Sequence, residues 1–131
     1  MKKDGILNPQ LCSAIAAIGH TEFLVIADPG LPIPQGVPII DLSLVRGIPS
    51  FLDVLHAVQA ELVVESYFIA SEIKEASSAL YQEIRSALPG MPEVEMPHEE
   101  FKKMLPLAKA VIRTGETTSY ANIALVAGVN F

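Results

Sequence analysis

The chain has 131 residues, a net charge of -6, nine scattered Lys and Arg, and a single cysteine. That is one domain, 1–131, long enough to bury a core, and it excludes nucleic acid and anionic membrane surfaces as partners and any intrachain disulfide. Half of the residues are hydrophobic and only 18% are charged, against a usual charged fraction of roughly 25%. No stretch reaches the ~18–20 apolar residues of a membrane span. The apolar excess therefore points to a homo-oligomer that buries surface between copies. Lys2 and Lys3 precede Asp4 and the breaker Asn8-Pro9, a poor start for a signal peptide. The expected compartment is the reducing cytoplasm, with Cys12 a small buried hydrophobe.

In chain order, Asn8 and Pro9 read as the cap and first residue of a helix that Gly19 stops. Leu7, Leu11, Ile15 and Ile18 give it one buried stripe. Phe23 to Ala27 is an apolar run too short for a helix, so it predicts a strand covered on both faces, ended by Asp28. A proline-rich loop runs from Pro29 to Pro38. Ser50 and Asp53 form a capping-box start for a helix through Val58, with Phe51, Leu55 and Val58 on its buried face.

Leu62 to Ala70 is the second strong strand. Ile73, Ala76, Leu80 and Ile84 trace a longer helix stopped by Leu88-Pro89-Gly90. Val94 and Met96 predict a short strand, and Glu99 to Leu105 a short helix before Pro106. Lys109 to Arg113 and Asn122 to Ala127 are two last strands, separated by a turn at Thr114-Gly115-Glu116 in which the glycine is expected to supply a positive backbone angle and the charges to pair locally. Alternation of this kind predicts an α/β fold, a three-layer domain with a largely parallel or mixed central sheet flanked by helices.

Polar residues at element ends are the candidates for chemistry. Ligands in open α/β sheets bind beyond the carboxyl ends of strands, where Asp28 stands. His20 follows a helix C-terminus, which favours an imidazolium, and a nearby Asp would orient its ring. His98 stands just after Pro97, Tyr120 carries a phenol, and Asn122 opens a strand. His56 lies mid-helix with no such context. Close His-x-x-x-His or Cys-x-x-Cys spacing is missing, so a metal site has only weak support, and no glycine-rich phosphate loop or serine elbow appears. No cofactor is expected. On pattern alone, each candidate has a plain structural use as a cap, a half-buried aromatic or a turn partner.

Several strings change that balance: Gly19-His20-Thr21, Leu31-Pro32-Ile33-Pro34, Gly47-Ile48-Pro49-Ser50-Phe51, Ala110-Val111-Ile112-Arg113-Thr114-Gly115-Glu116 and Tyr120-Ala121-Asn122-Ile123. In identity and order they resemble the D-ribose pyranase (ribose mutarotase) family, from end to end of the chain. The resemblance implies an isomerase with His20 as proton donor and with Asp28, His98, Tyr120 and Asn122 on the sugar. It also implies a homodecamer with sites between neighbouring subunits. L-fucose mutarotases are the sister group, and the Gly30-Leu31-Pro32-Ile33-Pro34 loop tilts the expected substrate to D-ribose. Two other readings stay open here, a non-catalytic sugar-binding regulatory module and a structural assembly protein.

Overall fold

The computed structural model describes residues 1–131. Helix α1, Pro9–Ala17, starts where expected, because the Asn8 side chain accepts the Leu11 N–H at 2.8 Å. Strand β1, Phe23–Ala27, is followed by β2, Ile39–Asp41, and by helix α2, Phe51–Gln59. The capping box at α2 is formed in both directions between Ser50 and Asp53. Next come β3, Val64–Ala70, the short helix α3, Ile73–Ala76, and α4, Ser78–Ala87. Strand β4, Glu93–Met96, helix α5, His98–Met104, and a 3₁₀ turn, Leu105–Leu107, lead to β5, Ala110–Arg113, and β6, Ile123–Ala127.

The six strands form one sheet in the order β2-β5-β1-β6-β3-β4. Parallel pairings join β2 to β5, β5 to β1 and β3 to β4, whereas β6 is antiparallel to both β1 and β3. Strands β1 to β5 therefore all point one way and β6 alone points back. The sheet is mixed, with its carboxyl ends gathered at one edge of the domain.

Both faces are covered. Leu24 and Ile26 of β1 face the larger core with Leu11, Phe51, Leu55 and Ile84, while Val25 and Ala27 face a smaller one with Leu31, Phe101 and Leu105. This is the physical meaning of the unbroken apolar run in β1, since period-2 alternation disappears when both sides are buried. At the far edge, Glu93 accepts the hydroxyls of Tyr67 and Tyr81 at 2.7 and 2.9 Å, tying β4 to β3 and α4. Burial, and then that bond to Glu93, push the Tyr67 phenol well above its ordinary range.

Several features differ from the sequence expectation or were left open by it; in α1 only Leu11 is buried, and Leu7, expected on the buried stripe, is exposed. Strand β2 is extra: it is three residues long and leaves no periodic signal. The single helix expected from Ile73 to Ile84 breaks at Ser77, which is buried and donates its hydroxyl to the Ser119 carbonyl at 2.6 Å. That tertiary bond outweighs the continuous apolar stripe. Finally, β5 and β6 are not neighbours, because β1 lies between them. The segment joining them crosses the end of β1, where Thr114 donates both its N–H and its hydroxyl to the Ala27 carbonyl at 2.9 Å.

Candidate functional site

That crossing builds most of the site. It carries Asn122 over the carboxyl end of β1 directly onto Asp28, with Tyr120 two residues before it. The Asp28 N–H donates to Asn122 Oδ1 at 3.0 Å, and Asn122 Nδ2 donates back to Asp28 Oδ2 at 2.9 Å. The other carboxylate oxygen, Oδ1, accepts the Gly30 N–H at 2.8 Å, a local Asx-type turn. Asn122 is 1% exposed, so its two bonds to Asp28 are shielded from water. The reciprocal pair fixes the carboxylate's rotamer before any ligand arrives.

Tyr120 follows from the same turn. Its carbonyl accepts the Asn122 N–H at 2.8 Å, and its backbone sits at φ 59. Thr21, beside His20, is the other non-glycine residue with positive φ, at 71. Such strained positions persist only where their surroundings hold them, and they gather at functional sites. The Tyr120 ring meets His98 edge to face, with centroids 5.2 Å apart and planes at 81°. His98 is held in turn by Glu72, whose carboxylate oxygens accept its N–H at 2.8 and 3.2 Å. Its buried Nδ1 has no hydrogen-bond partner within the chain. Asp28, Asn122, Tyr120 and His98 thus form one connected group at the carboxyl ends of β1, β3 and β4.

His20 is elsewhere. It precedes β1, whereas Asp28 follows it, so about 16 Å of strand stands between them at ~3.3 Å per residue. The expectation that Asp28 orients the His20 ring does not hold within a single chain. The carboxylate beside His20 is Glu65, with its Oε2 2.9 Å from Nε2. His56 is exposed in α2 and takes no part. No three His, Cys, Asp or Glu side chains stand together as a metal-binding set.

A groove beside Asp28 is lined by Gly30, Arg46, Gly115, Thr118 and the 43–46 loop. Two contacts shape it. Gly47 donates its N–H to the Gly115 carbonyl at 2.6 Å, and Gly115 donates to the Pro49 carbonyl at 2.9 Å. Gly115 is not at positive φ, contrary to expectation. Glycine is needed there for close approach, because a Cβ would overlap the carbonyl oxygens of Ile48 and Val45, the latter at 2.6 Å. Gly115→Ala should therefore pry the 43–49 loop loose and cost about 1–3 kcal/mol. Chemical denaturation, with faster amide exchange at Gly47, checks this.

Glu116 locks the same segment. It accepts the Phe51 N–H at 2.9 Å, the N–H groups of Thr117 and Thr118 at 3.0 and 3.1 Å, and the Thr118 hydroxyl at 2.8 Å. Neither it nor Arg113 pairs locally, since Arg113 reaches Asp41 at 3.0 Å. Burial raises the Glu116 carboxyl, but the bonds from Phe51, Thr118 and Thr117 outweigh it and hold it below the ordinary 4.5. A depressed folded value means stability that is complete above the unfolded value and lost as the pH falls below it. Glu116→Gln should cost about 1 kcal/mol at pH 7 and flatten the decline in stability below pH 4.5. Urea titrations at pH 7 and in acid measure both.

Glu65 and Glu72 carry no motif, which is why pattern reasoning passed over them. Their partners are distant in sequence, and only a contact map pairs them.

The model of the RbsD / FucU transport protein family matches residues 1–130. The chain belongs to that family. A D-ribose pyranase of Geobacillus kaustophilus (strain HTA426) is 55% identical over 100% of this chain and 96% of its own length. The structure of Bacillus subtilis RbsD complexed with D-ribose superposes with a TM-score of 0.97 at 46% identity, covering 100% of both chains. A fucose mutarotase from Streptococcus pneumoniae, in complex with L-fucose, shares 22% identity at a TM-score of 0.76 over 95% of each chain. At that distance the likeness is one of fold. The α/β expectation and the family resemblance both hold.

Proposed function

We propose that this protein is a D-ribose pyranase, an isomerase that interconverts the pyranose and furanose forms of the sugar. The observation that carries the proposal is the connected group of Asp28, Asn122, Tyr120 and His98 at the carboxyl ends of the strands. Carboxylate, amide, phenol and imidazole at fixed positions read hydroxyl groups, and buried donors and acceptors discriminate hydroxyl position strongly. The identity to a D-ribose pyranase of another organism supports the same reading.

Ring opening breaks the bond between the anomeric carbon and the ring oxygen. The ring oxygen gains a proton and the anomeric hydroxyl loses one, leaving an aldehyde and a free hydroxyl. Rotation then lets a different hydroxyl close on the aldehyde with the reverse proton movements. Positioned acid and base groups typically give 10²–10⁴-fold each, enough for a reaction that water already allows. His20 donates the proton to the ring oxygen, while Asp28, His98, Tyr120 and Asn122 hold the sugar's hydroxyls.

Because β1 separates His20 from that group, the working site takes His20 from one copy and the other four residues from its neighbour. A homo-oligomer, decameric as in the family resemblance, supplies this arrangement in the cytoplasm. The test is NMR exchange between pyranose and furanose signals of D-ribose, with L-fucose as comparison. Selective acceleration for ribose, abolished in His20→Ala, is expected. Acceleration for L-fucose alone would assign the sister activity, binding without acceleration would leave a sugar-binding module, and full activity in His20→Ala would remove His20 from the mechanism.

A further inference from the structure

The His20 end of the sheet carries a second irregularity besides Thr21. Strand β3 pairs Val64 with Ala127 and Ser66 with Val126, so Glu65 is the extra residue of a β-bulge against β6. Bulges re-aim one side chain out of the ladder, and this one directs Glu65 onto His20. Gly128 makes room for it: a Cβ there would lie 3.2 Å from Glu65 Cβ and 3.5 Å from its Oε2. The backbone on the other side is held as well, with the Thr21 N–H donated to the Ala127 carbonyl at 2.9 Å and the Gly128 N–H to the Val63 carbonyl at 2.8 Å. Both partners of the ion pair are thus anchored to the last residues of β6.

An ionised carboxylate only accepts hydrogen bonds. Nε2 of His20 therefore carries the hydrogen in the 2.9 Å contact, and Nδ1 is the nitrogen left to exchange a proton. Side-chain exposure of 52% for His20 and 41% for Glu65 makes a stabilising purpose for the pair small. We propose that Glu65 is a positioning residue that fixes the His20 ring so that Nδ1 of the imidazolium delivers the proton to the sugar ring oxygen, leaving the Nε2–H tautomer. This rests on the role of His20 as proton donor given above.

Glu65→Leu, Glu65→Gln and the parent protein are compared in the D-ribose exchange assay and by ¹⁵N NMR of the His20 ring, recorded at about pH 9, where an ordinary imidazole is neutral. Glu65→Leu should lower kcat roughly 10- to 100-fold with KM held within about twofold. Its melting temperature should stay unchanged, and the ring should pass from the Nε2–H tautomer to a mixture. Glu65→Gln, isosteric and still offering an oxygen to Nε2, should keep that tautomer and much of kcat. A kcat in Glu65→Leu equal to that of the parent, or an unaltered tautomer, overturns the proposal. A parent protein that fails to accelerate exchange overturns the functional reading instead, while the ring spectra still report the contact.

Discussion

Two inactive variants, His20→Ala and Asp28→Asn, should regain activity when co-assembled in one oligomer. His20→Ala is expected to lose 10²-fold or more, the typical contribution of a positioned proton-transfer group, and Asp28→Asn a comparable factor through misplacement of the sugar. In a random 1:1 assembly about one site in four combines an intact His20 with an intact Asp28, so about a quarter of the parent rate should return. The reason lies in β1: His20 and Asp28 flank its two ends, and a strand cannot fold back to bring them together. In the proposed site a second copy presents its His20 to the Asp28 group. The measurement is ribose exchange on co-expressed, doubly tagged oligomers, with each variant's own homo-oligomer as baseline. No recovery in a verified mixed assembly would place the site within one chain.

Asn122→Leu should be the most damaging single substitution at the Asp28 end of the sheet. Leucine matches the amide's shape but offers no polar atom. The Asp28 N–H and one carboxylate oxygen, now bonded at 3.0 and 2.9 Å, would lose their partners inside a region where Asn122 is 1% exposed. Unpaired buried groups cost about 1–3 kcal/mol each, so a stability loss of about 2–4 kcal/mol is expected. Activity should fall at least 10²-fold, because the carboxylate loses its fixed rotamer. Denaturant unfolding and ribose exchange report the two effects separately. A variant that kept its rate while losing stability would make Asn122 a structural clamp only.

The two irregular backbone positions near these groups bear on how such sites are made. Thr21 and Tyr120 both occupy the left-handed region without being glycine, at an energetic cost of order 1–3 kcal/mol each. Thr21 is held by its bond to Ala127 of β6, and Tyr120 by the local turn that its carbonyl closes with the Asn122 N–H. The sheet's regular core supplies the rigidity, and the strained residues set the side-chain directions.

Local physics was legible in the sequence. The Asn8-Pro9 start of α1, the Ser50–Asp53 box of α2 and the buried run Phe23–Ala27 each depend on residues within a few positions of one another, so propensity and periodicity announce them. The family resemblance likewise implied a role for His20, Asp28, His98, Tyr120 and Asn122 as a set. What the sequence did not contain was their distribution. The insertion of β1 between β5 and β6 is a long-range pairing choice, and it alone puts Asn122 on Asp28 while leaving His20 at the opposite end. Ser77 breaks a helix for a bond to Ser119, and Glu65 reaches His20 through a bulge set by β6. Composition and local pattern determined the elements, the covered sheet and the chemical types on offer. Strand order, register and hydrogen bonds between distant residues decided which of those groups meet, because such contacts depend on how the whole sheet closes and not on any neighbourhood of the chain.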